Sequence, residues 1–244
     1  MQIRNVLLIG ASGGLGKHIS RGLAQAGYNI ALHYNSHMES LKDSEENLKK
    51  LNIKFNTYQS NISEENEVKK LIDNVHIDFG NIDVLINNAG ISIDGVTWKL
   101  DLNSWNKVLS VNLTGPFLCC KYVLPLMKQN NWGRIVNISS VVSQIGVPGT
   151  VAYSTSKSGL IGLTKTISKE TIKFNITSHL IALGYFNAGM LYQIKEEIRN
   201  QIKDQIPKKE FGNPEEIINC LKYLISDNAS YITGQTININ GGMY

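Results

Sequence analysis

Short apolar runs alternate along the chain with longer amphipathic segments, and this alternation restricts the possible folds more than any other feature. The apolar runs cover residues 5–10, 29–34, 53–58, 83–88, 134–139, 175–183 and 234–241. Several are almost continuously apolar, which is typical of strands in a parallel sheet that is buried on both faces. The sequence therefore predicts a doubly wound α/β fold, with a parallel sheet of about seven strands and helices on both faces.

The segments between these runs carry apolar residues every three or four positions, the spacing of amphipathic helices. The predicted helices cover residues 14–27, 38–51, 63–80, 103–129 and 213–227. No internal repeat, low-complexity stretch or linker interrupts the pattern, so we expect one domain over residues 1–244. The polar, charge-rich stretch at about 184–212 is expected to be a substrate loop rather than a domain boundary.

Composition favours a globular protein. Of the 244 residues, 42% are hydrophobic and 18% are charged, which suffices for one sizeable core. The formal net charge is only +4 and no run of Lys and Arg forms a basic arm, so nucleic acid is not an expected partner. The three cysteines have neither disulfide nor metal-ligand spacing, and we expect no metal site.

The first apolar run begins too close to the N-terminus to be the hydrophobic region of a signal peptide with a cleavage site. No apolar run approaches the length of a membrane span. We therefore expect a cytoplasmic protein that does not bind membranes.

A glycine cluster lies between the first strand and the first helix. Gly10, Gly14 and Gly16 occur in the stretch LLIGASGGLGKHI. Glycine permits a tight turn and a close approach of the backbone to a pyrophosphate, and the helix N-terminus offers free N–H groups to the anion. The strand–turn–helix context therefore predicts nucleotide binding, although the G-x-x-x-G-x-G spacing is wider than the G-x-G-x-x-G fingerprint.

Tyr153 and Lys157 are four residues apart in a segment that reads as helix, so their side chains share one face. Taken alone, they are most simply an ordinary helix pair. A phenol next to an ammonium group can also exchange protons, because the positive charge lowers the pKa of the phenol from about 10.

The glycine spacing resembles that of the classical short-chain dehydrogenase/reductase family, and the resemblance extends over essentially the whole chain. Further matching motifs are NNAG at 87–90, VNLTGPF at 111–117, GRIVNISS at 133–140 and the thirteen-residue interval from Ser140 to Tyr153. The C-terminal stretches FGNPEEI and YITGQTININGGMY resemble the 3-oxoacyl-(acyl-carrier-protein) reductase branch. The resemblance implies a Rossmann-type sheet and hydride transfer between a nicotinamide and a carbonyl carbon.

The resemblance also implies roles for four residues. Tyr153 would be the general acid, and Lys157 would lower the pKa of Tyr153 and hold the nicotinamide ribose. Ser140 would hydrogen-bond the substrate oxygen, and Asn112 would hold a water that links Lys157 to solvent. As simpler readings, Ser140 ends a strand and Asn112 is a hydrogen-bonded polar residue in a helix kink.

The expected cofactor contacts are Gly10, Ser12, Gly13, Gly14, Leu15, Gly16, Asn35, Ser36, Asn61, Ile62, Asn88, Ala89, Gly90, Tyr153, Lys157, Gly184 and Phe186. The second strand is followed by no carboxylate at the position that binds the ribose hydroxyls in NAD-preferring relatives, so NADPH is favoured and NADH stays open. Gly13 stands where NADP-preferring relatives often have a basic residue, and His33 or His37 are candidates for the 2′-phosphate instead.

Some positions depart from the family pattern. His179, Leu183 and Ala188 replace an asparagine, a proline and a threonine that help hold the nicotinamide carboxamide and shape the substrate loop. The carrier-protein reductases tend to have arginines at the positions of Asn131 and Phe174. Nearby lysines that could receive an acidic carrier protein are Lys128, Lys169 and Lys173.

The leading hypothesis is an NADPH-dependent reductase of 3-oxoacyl thioesters, as in fatty acid biosynthesis, with an acyl carrier protein as a possible substrate carrier. One alternative keeps the hydride chemistry with a CoA thioester or a small ketone or alcohol. Another is a catalytically silent binding or regulatory subunit of the same fold. The resemblance further implies a homotetramer that packs through the helices at 101–128 and 151–172.

Overall fold

The computed structural model describes residues 3–193 and 195–244. The strands are β1 (Asn5–Ile9), β2 (Asn29–Tyr34), β3 (Phe55–Gln59), β4 (Val84–Asn87), β5 (Gly133–Ser140), β6 (Ile176–Leu183) and β7 (Thr236–Ile239). The α-helices are α1 (Gly14–Gln25), α2 (Lys42–Leu48), α3 (Glu65–Phe79), α4 (Leu102–Leu109), α5 (Gly115–Gln129), α6 (Val142–Ile145), α7 (Val151–Thr171), α8 (Glu196–Gln205) and α9 (Pro214–Leu224). Met1 and Gln2 of the predicted domain, and Ile194 of the predicted substrate loop, lie outside the described residues.

The seven strands form one sheet with the order β3-β2-β1-β4-β5-β6-β7. Every pair of neighbouring strands is parallel. The predicted doubly wound parallel sheet with helices on both faces is therefore confirmed. The strand predicted at 29–34 has the same bounds in the structure, whereas the last strand is shorter than its predicted range of 234–241.

The core has two layers, one on each face of the sheet. Along β1, Val6 and Leu8 belong to the layer under α1 and α9, whereas Leu7 and Ile9 belong to the layer under α3, α5 and α7. Successive strand side chains point to opposite faces, so a strand buried on both faces must be apolar throughout. This requirement explains why the apolar runs of the sequence located the strands.

The helical region from Leu102 to Gln129 is continuous, and its middle turn at Ser110–Thr114 is a wider π-helical turn. By length and composition alone this helix could cross a membrane, with a mean hydropathy of 1.2 over 18 residues. The 18-residue window is 44% buried, as in a core helix of a globular fold. Its apolar residues include Val123 and Met127, which pack in the layer under α3. Such burial is how a long apolar helix serves the core of a globular fold.

The stretch at 184–212 is more regular than predicted. It contains a short 3₁₀ helix at Gly189–Gln193 and helix α8 at Glu196–Gln205, which carries five charged residues. Glu196 and Glu197 lie in the first turn of α8 and Lys203 in its last turn, which suits the helix dipole. We call residues 184–212 the post-β6 segment.

Charged and aromatic side chains pack together at the amino end of the sheet, and a neutral histidine is buried further along β6. The Trp132 ring lies between two guanidinium groups, with its centre 3.8 Å from Arg4 Cζ and 4.3 Å from Arg134 Cζ. Asp227 Oδ1 accepts a hydrogen bond of 2.8 Å from Trp132 Nε1. His179 is fully buried on β6, and burial and the Arg134 charge lower its pKa to about 4.

Candidate functional site

The candidate site lies at the carboxyl ends of β1, β4, β5 and β6. The chain passes from β1 outward to β2 and β3, then returns to the other side of β1 as β4. In open parallel sheets, a crevice forms where the strand order reverses in this way, and ligands bind there. The predicted site residues follow these strands or lie on α4–α7, so the topology explains why distant motifs meet.

The turn between β1 and α1 is built for close approach. Gly10 has φ of +80°, and a Cβ at this position would lie 2.7 Å from the Ala89 Cα. A Cβ on Gly16 would lie 2.3 Å from the Gly10 carbonyl oxygen. Helix α1 begins after Gly13 with no side-chain cap and no acidic residue in its first turn. Its first N–H groups and positive dipole end are therefore suited to an anion.

Neighbouring predicted contacts support this turn or lie beside it. Asn88 Nδ2 donates a 2.9 Å hydrogen bond to the Gly10 oxygen. The Asn61 side chain accepts from the Ser63 N–H at 3.1 Å and from the Ser63 hydroxyl at 2.8 Å, so it stabilises its own turn. Ile62 is buried against Gly115. These contacts fix the walls of the crevice.

The end of β2 divides the remaining candidates into exposed and buried groups. Asn35, Ser36 and His37 are exposed. His33 is only 2% exposed, and both of its ring nitrogens have partners in the protein. The interpretation of His33 as a 2′-phosphate ligand is therefore wrong, because a buried ring with both nitrogens engaged cannot reach an exposed phosphate.

Asn112 lies in the π-helical turn and is fully buried. Its Oδ1 accepts from the Ile91 N–H at 2.8 Å, and its Nδ2 donates to the Ile91 oxygen at 2.8 Å and to Ser156 Oγ at 3.1 Å. The side chain thus binds both backbone groups of the loop that follows β4. A Cβ on Gly90 would lie 3.4 Å from Asn112 Oδ1 and 3.3 Å from Lys157 Nζ, so these two groups approach the same backbone.

Tyr153 and Lys157 lie on α7, beside Ser140 at the end of β5. Lys157 Nζ donates to the Ile138 oxygen at 2.8 Å and lies 5.8 Å from the centre of the Tyr153 ring. Burial lowers the pKa of Lys157 to about 8. Ser140 Oγ also accepts from the Val142 N–H at 3.4 Å. The structure therefore brings a phenol, a hydroxyl and an amine together.

The electrostatic balance at Tyr153 differs from the expectation. Burial raises the pKa of Tyr153 to about 12, a hydrogen bond with Ser140 acts in the opposite direction, and the Tyr185 phenol raises it further. The loss of hydration is therefore the dominant influence on the pKa of Tyr153. The predicted lowering of this pKa by Lys157 is not found.

The post-β6 segment covers the crevice. A Cβ on Gly14 would lie 2.5 Å from the Gly189 Cα, so the segment touches the glycine turn directly. A Cβ on Gly184 would lie 2.8 Å from the Asn240 Cα, which explains the need for glycine there. Phe186 is 7% exposed and belongs to the core layer under α1 and α9.

The departures from the family pattern occupy different places. His179 lies in the middle of β6, where its Nε2 is 3.2 Å from Thr177 Oγ1. Leu183 ends β6 at the crevice, and Ala188 follows it in the post-β6 segment. The Phe174 ring lies 4.8 Å from Lys128 Nζ and 5.1 Å from Lys173 Nζ.

Sequence reasoning missed two residues of this region, Tyr185 and Gly189, and gave His33 a different role. Tyr185 raises the pKa of Tyr153, His33 supports the glycine turn, and Gly189 covers that turn. A signal was present for Gly189, because a glycine in a polar stretch often marks a close backbone approach. The other two depend on tertiary contacts between strands that are distant in sequence.

The residues present fit a dinucleotide. The glycines of the turn after β1 leave the backbone open to a pyrophosphate, and the N-terminus of α1 carries no competing carboxylate. Tyr153 and Lys157 lie at the far end of the same crevice. Among residues 3–193 and 195–244, no group of three His, Cys, Asp or Glu side chains is placed to bind a metal ion.

Known proteins resemble the chain over its whole length. A family model described as enoyl-(acyl carrier protein) reductase matches residues 10–244. The 3-oxoacyl-(acyl-carrier-protein) reductase of Staphylococcus epidermidis is 38% identical over 241 residues, 99% of each chain. The enzyme of the same name from Aquifex aeolicus is 40% identical over 238 residues, 98% of this chain and 96% of the relative. Nodulation protein G of Azospirillum brasilense is 37% identical over 243 residues, 100% and 99% of the two chains. The chain belongs to the short-chain dehydrogenase/reductase family.

Proposed function

We propose that the protein is an oxidoreductase that reduces a 3-oxoacyl thioester to the 3-hydroxyacyl thioester, with NADPH as the hydride donor. Full-length relatives with the name of that activity support the reaction. The observation that carries the proposal is the grouping of Ser140, Tyr153 and Lys157 beside a glycine turn that suits a dinucleotide.

Each side chain has one task in this reaction. When bound, the nicotinamide supplies the hydride that reaches the carbonyl carbon. The Ser140 hydroxyl holds the carbonyl oxygen, and the Tyr153 phenol gives that oxygen its proton, so that no free alkoxide forms. Lys157 holds the ribose and returns a proton toward Tyr153. The buried Asn112 fixes the loop around Ile91 against which Lys157 lies.

The preference for NADPH is supported by the end of β2. Asn35 and Ser36 are exposed and can donate hydrogen bonds to a 2′-phosphate, and no carboxylate stands there to repel it. We include among the cofactor contacts Ser12, Gly13, Leu15, Ala89 and Gly90, which line the turn after β1 or follow β4.

The finer assignments follow from the same proposal. We propose one domain over residues 1–244, a cytoplasmic location, a place in fatty acid biosynthesis, and a homotetramer packed through α4, α5 and α7. An acyl carrier protein is the proposed substrate carrier, with Lys128, Lys169 and Lys173 as cationic groups for its acidic surface.

A second candidate function is the same reduction on a CoA thioester or a small ketone. The observation that favours it is the absence of arginine at Asn131 and Phe174, where carrier-protein reductases tend to have that residue. Reduction of an enoyl thioester is a further arm of the test, because the matching family description contains that activity.

The test is a comparison of NADPH oxidation on four substrates: acetoacetyl-(acyl carrier protein), acetoacetyl-CoA, a crotonyl thioester and a simple ketone. We expect the highest kcat/KM on the carrier-bound 3-oxoacyl chain, and lower rates with NADH than with NADPH. A preference for CoA or ketone would favour the second candidate. Failure to bind NADPH, together with no turnover of any substrate, would overturn the enzyme assignment and favour a binding subunit.

A further inference from the structure

A buried imidazole lies directly beneath the glycine turn. His33 is near the carboxyl end of β2, on the strand that neighbours β1, and only 2% of its surface is exposed. Its Nδ1 accepts a 3.1 Å hydrogen bond from the Gly10 N–H. Its Nε2 lies 2.9 Å from the Ser60 oxygen, at the end of β3. One ring thus connects the first turn of the site to the third strand.

The chemistry of these partners allows one protonation state of the ring. The Gly10 N–H can only donate, so Nδ1 must carry a lone pair. The Ser60 carbonyl can only accept, so Nε2 must carry the hydrogen. The neutral ring with hydrogen on Nε2 is the only form that satisfies both, and burial favours the neutral form by lowering the pKa of His33 to about 4.

Gly10 is held on both of its peptide groups. The Gly10 N–H donates a hydrogen bond to His33 Nδ1, and the Gly10 oxygen accepts one of 2.9 Å from Asn88 Nδ2. The His33 backbone oxygen also accepts from the Ala11 N–H at 2.8 Å. Gly10 has φ of +80°, and Ala89 leaves no room for a Cβ, so the residue has no side chain of its own to hold this conformation. The orientation of the turn therefore depends on its neighbours.

We propose that His33 is a positioning residue for the cofactor: its neutral ring orients the Gly10 peptide and thereby presents the following turn to the pyrophosphate. The inference rests on the proposed use of NADPH. Without an acceptor at Nδ1, the partly buried Gly10 N–H loses its partner, and the turn must shift to find another one. His33 itself touches no part of the reaction.

Two substitutions separate the two hydrogen bonds. In His33→Asn, the amide oxygen can take the place of Nδ1 and accept from Gly10, whereas the link to Ser60 is lost. In His33→Gln, the longer amide reaches toward Ser60 and leaves Gly10 without an acceptor. His179→Gln is the matched control, because His179 is equally buried on the same sheet but far from the turn.

The measurements are the Kd of NADPH, the KM values of NADPH and of the thioester, kcat, and the thermal unfolding of each variant. We expect His33→Gln to weaken NADPH about tenfold. The KM of NADPH should rise, with kcat and the KM of the thioester unchanged. His33→Asn should stay within about threefold of the unmodified protein, as should the control.

Equal affinities of the Asn and Gln variants would overturn the inference, whether both are strong or both are weak. A ¹⁵N NMR spectrum of the unmodified protein gives a second readout that requires no variant to fold. Hydrogen on Nδ1 instead of Nε2 would contradict the assigned role of the ring. If the unmodified protein does not bind NADPH at all, the proposed function fails, and that outcome is distinct from a difference between variants.

Discussion

The two ends of the crevice are built on different principles. At the phosphate end, the glycine turn and its supports are backbone groups and neutral side chains that hold one another by hydrogen bonds. At the catalytic end, the key groups are ionisable side chains with displaced pKa values: burial raises that of Tyr153 to about 12 and lowers that of Lys157 to about 8. Close backbone contacts therefore determine the properties of the phosphate end, and protonation states determine those of the catalytic end.

Because of this contrast, substitutions at the two ends should alter different properties of the protein. A change at the phosphate end should alter cofactor affinity and folding, because close backbone contacts leave no room for adjustment. A change at the catalytic end should alter turnover and pH dependence, because buried charges are sensitive to their partners. A substitution at either end that altered both cofactor affinity and the pH dependence of turnover would contradict this division.

The largest effect is expected for Tyr153→Phe at the catalytic end. Loss of the phenol removes the proton donor, so kcat should fall by about 10²- to 10⁴-fold while the Kd of NADPH changes little. Tyr185→Phe is the matched control, because it removes a neighbouring phenol hydroxyl that is not the assigned proton donor. The kcat of this variant should stay close to that of the unmodified protein. Equal losses in both variants would contradict the assignment of the acid to Tyr153.

At the phosphate end, Gly16→Ala should have its effect through a steric clash and not through a change of charge. The new Cβ would lie 2.3 Å from the Gly10 oxygen and 2.8 Å from the Ala11 Cα, both backbone atoms. We expect the free energy of unfolding to fall by about 1–3 kcal/mol and NADPH to bind on the order of a hundredfold more weakly. Urea unfolding and cofactor titration measure these effects.

Gly162→Ala serves as the control for this change, because no atom lies within 4 Å of its new Cβ. That helical alanine should stabilise the protein slightly, through the higher helix propensity of alanine, and leave cofactor affinity intact. If Gly16→Ala behaved like Gly162→Ala, the turn would be less constrained than its contacts indicate.

Lys157 should give the catalytic end a pH dependence that the phosphate end lacks. Its pKa is lowered from 10.5 to about 8 on folding, so between pH 8 and 10.5 the unfolded chain binds more protons than the folded one. The free energy of unfolding contributed by this group therefore rises with pH across that window. His33 does not titrate there, because its pKa is about 4.

Lys157→Met is the measurement that isolates this contribution. From pH 8 to pH 10.5, the unmodified protein should gain stability relative to the variant, as followed by urea unfolding at each pH. A difference that stays constant with pH would mean that folding does not displace the titration of Lys157.

The smallest effect is expected for Ala188→Thr, which restores a hydroxyl in the post-β6 segment. One added hydrogen bond to the cofactor is worth about 1 kcal/mol, so NADPH should bind about fivefold more tightly. Ala188→Val is the control, because it has the same shape without the hydroxyl. Equal gains in both variants would indicate packing rather than a polar contact.

The sequence alone was informative where a single strand or turn determines the structure. The mostly apolar run at 29–34 located β2 within its observed bounds, and Gly10, Gly14 and Gly16 located the turn. The roles of Ser140 and Tyr153 were expected from the family resemblance, and both residues lie at the crevice. Local patterns suffice in these cases because burial on both faces, or a missing Cβ, leaves few alternatives.

The remaining features depend on packing between distant segments. Four-residue spacing placed Lys157 near Tyr153, but it could not show that burial would outweigh the charge and raise the pKa of the phenol. His33 read as an exposed strand end, and only the pairing of β2 with β1 and β3 buries it. Such outcomes depend on what covers a side chain, which local sequence does not determine.

The position of Trp132 between two guanidinium groups makes it an optical reporter of global unfolding. The side chain is 8% exposed at the amino end of the sheet, whereas Trp98, in the loop between β4 and α4, is 82% exposed. Acrylamide should therefore quench the emission of Trp98 in the native protein and spare that of Trp132. Fluorescence from single-tryptophan variants can then distinguish events near the crevice from loss of the whole fold.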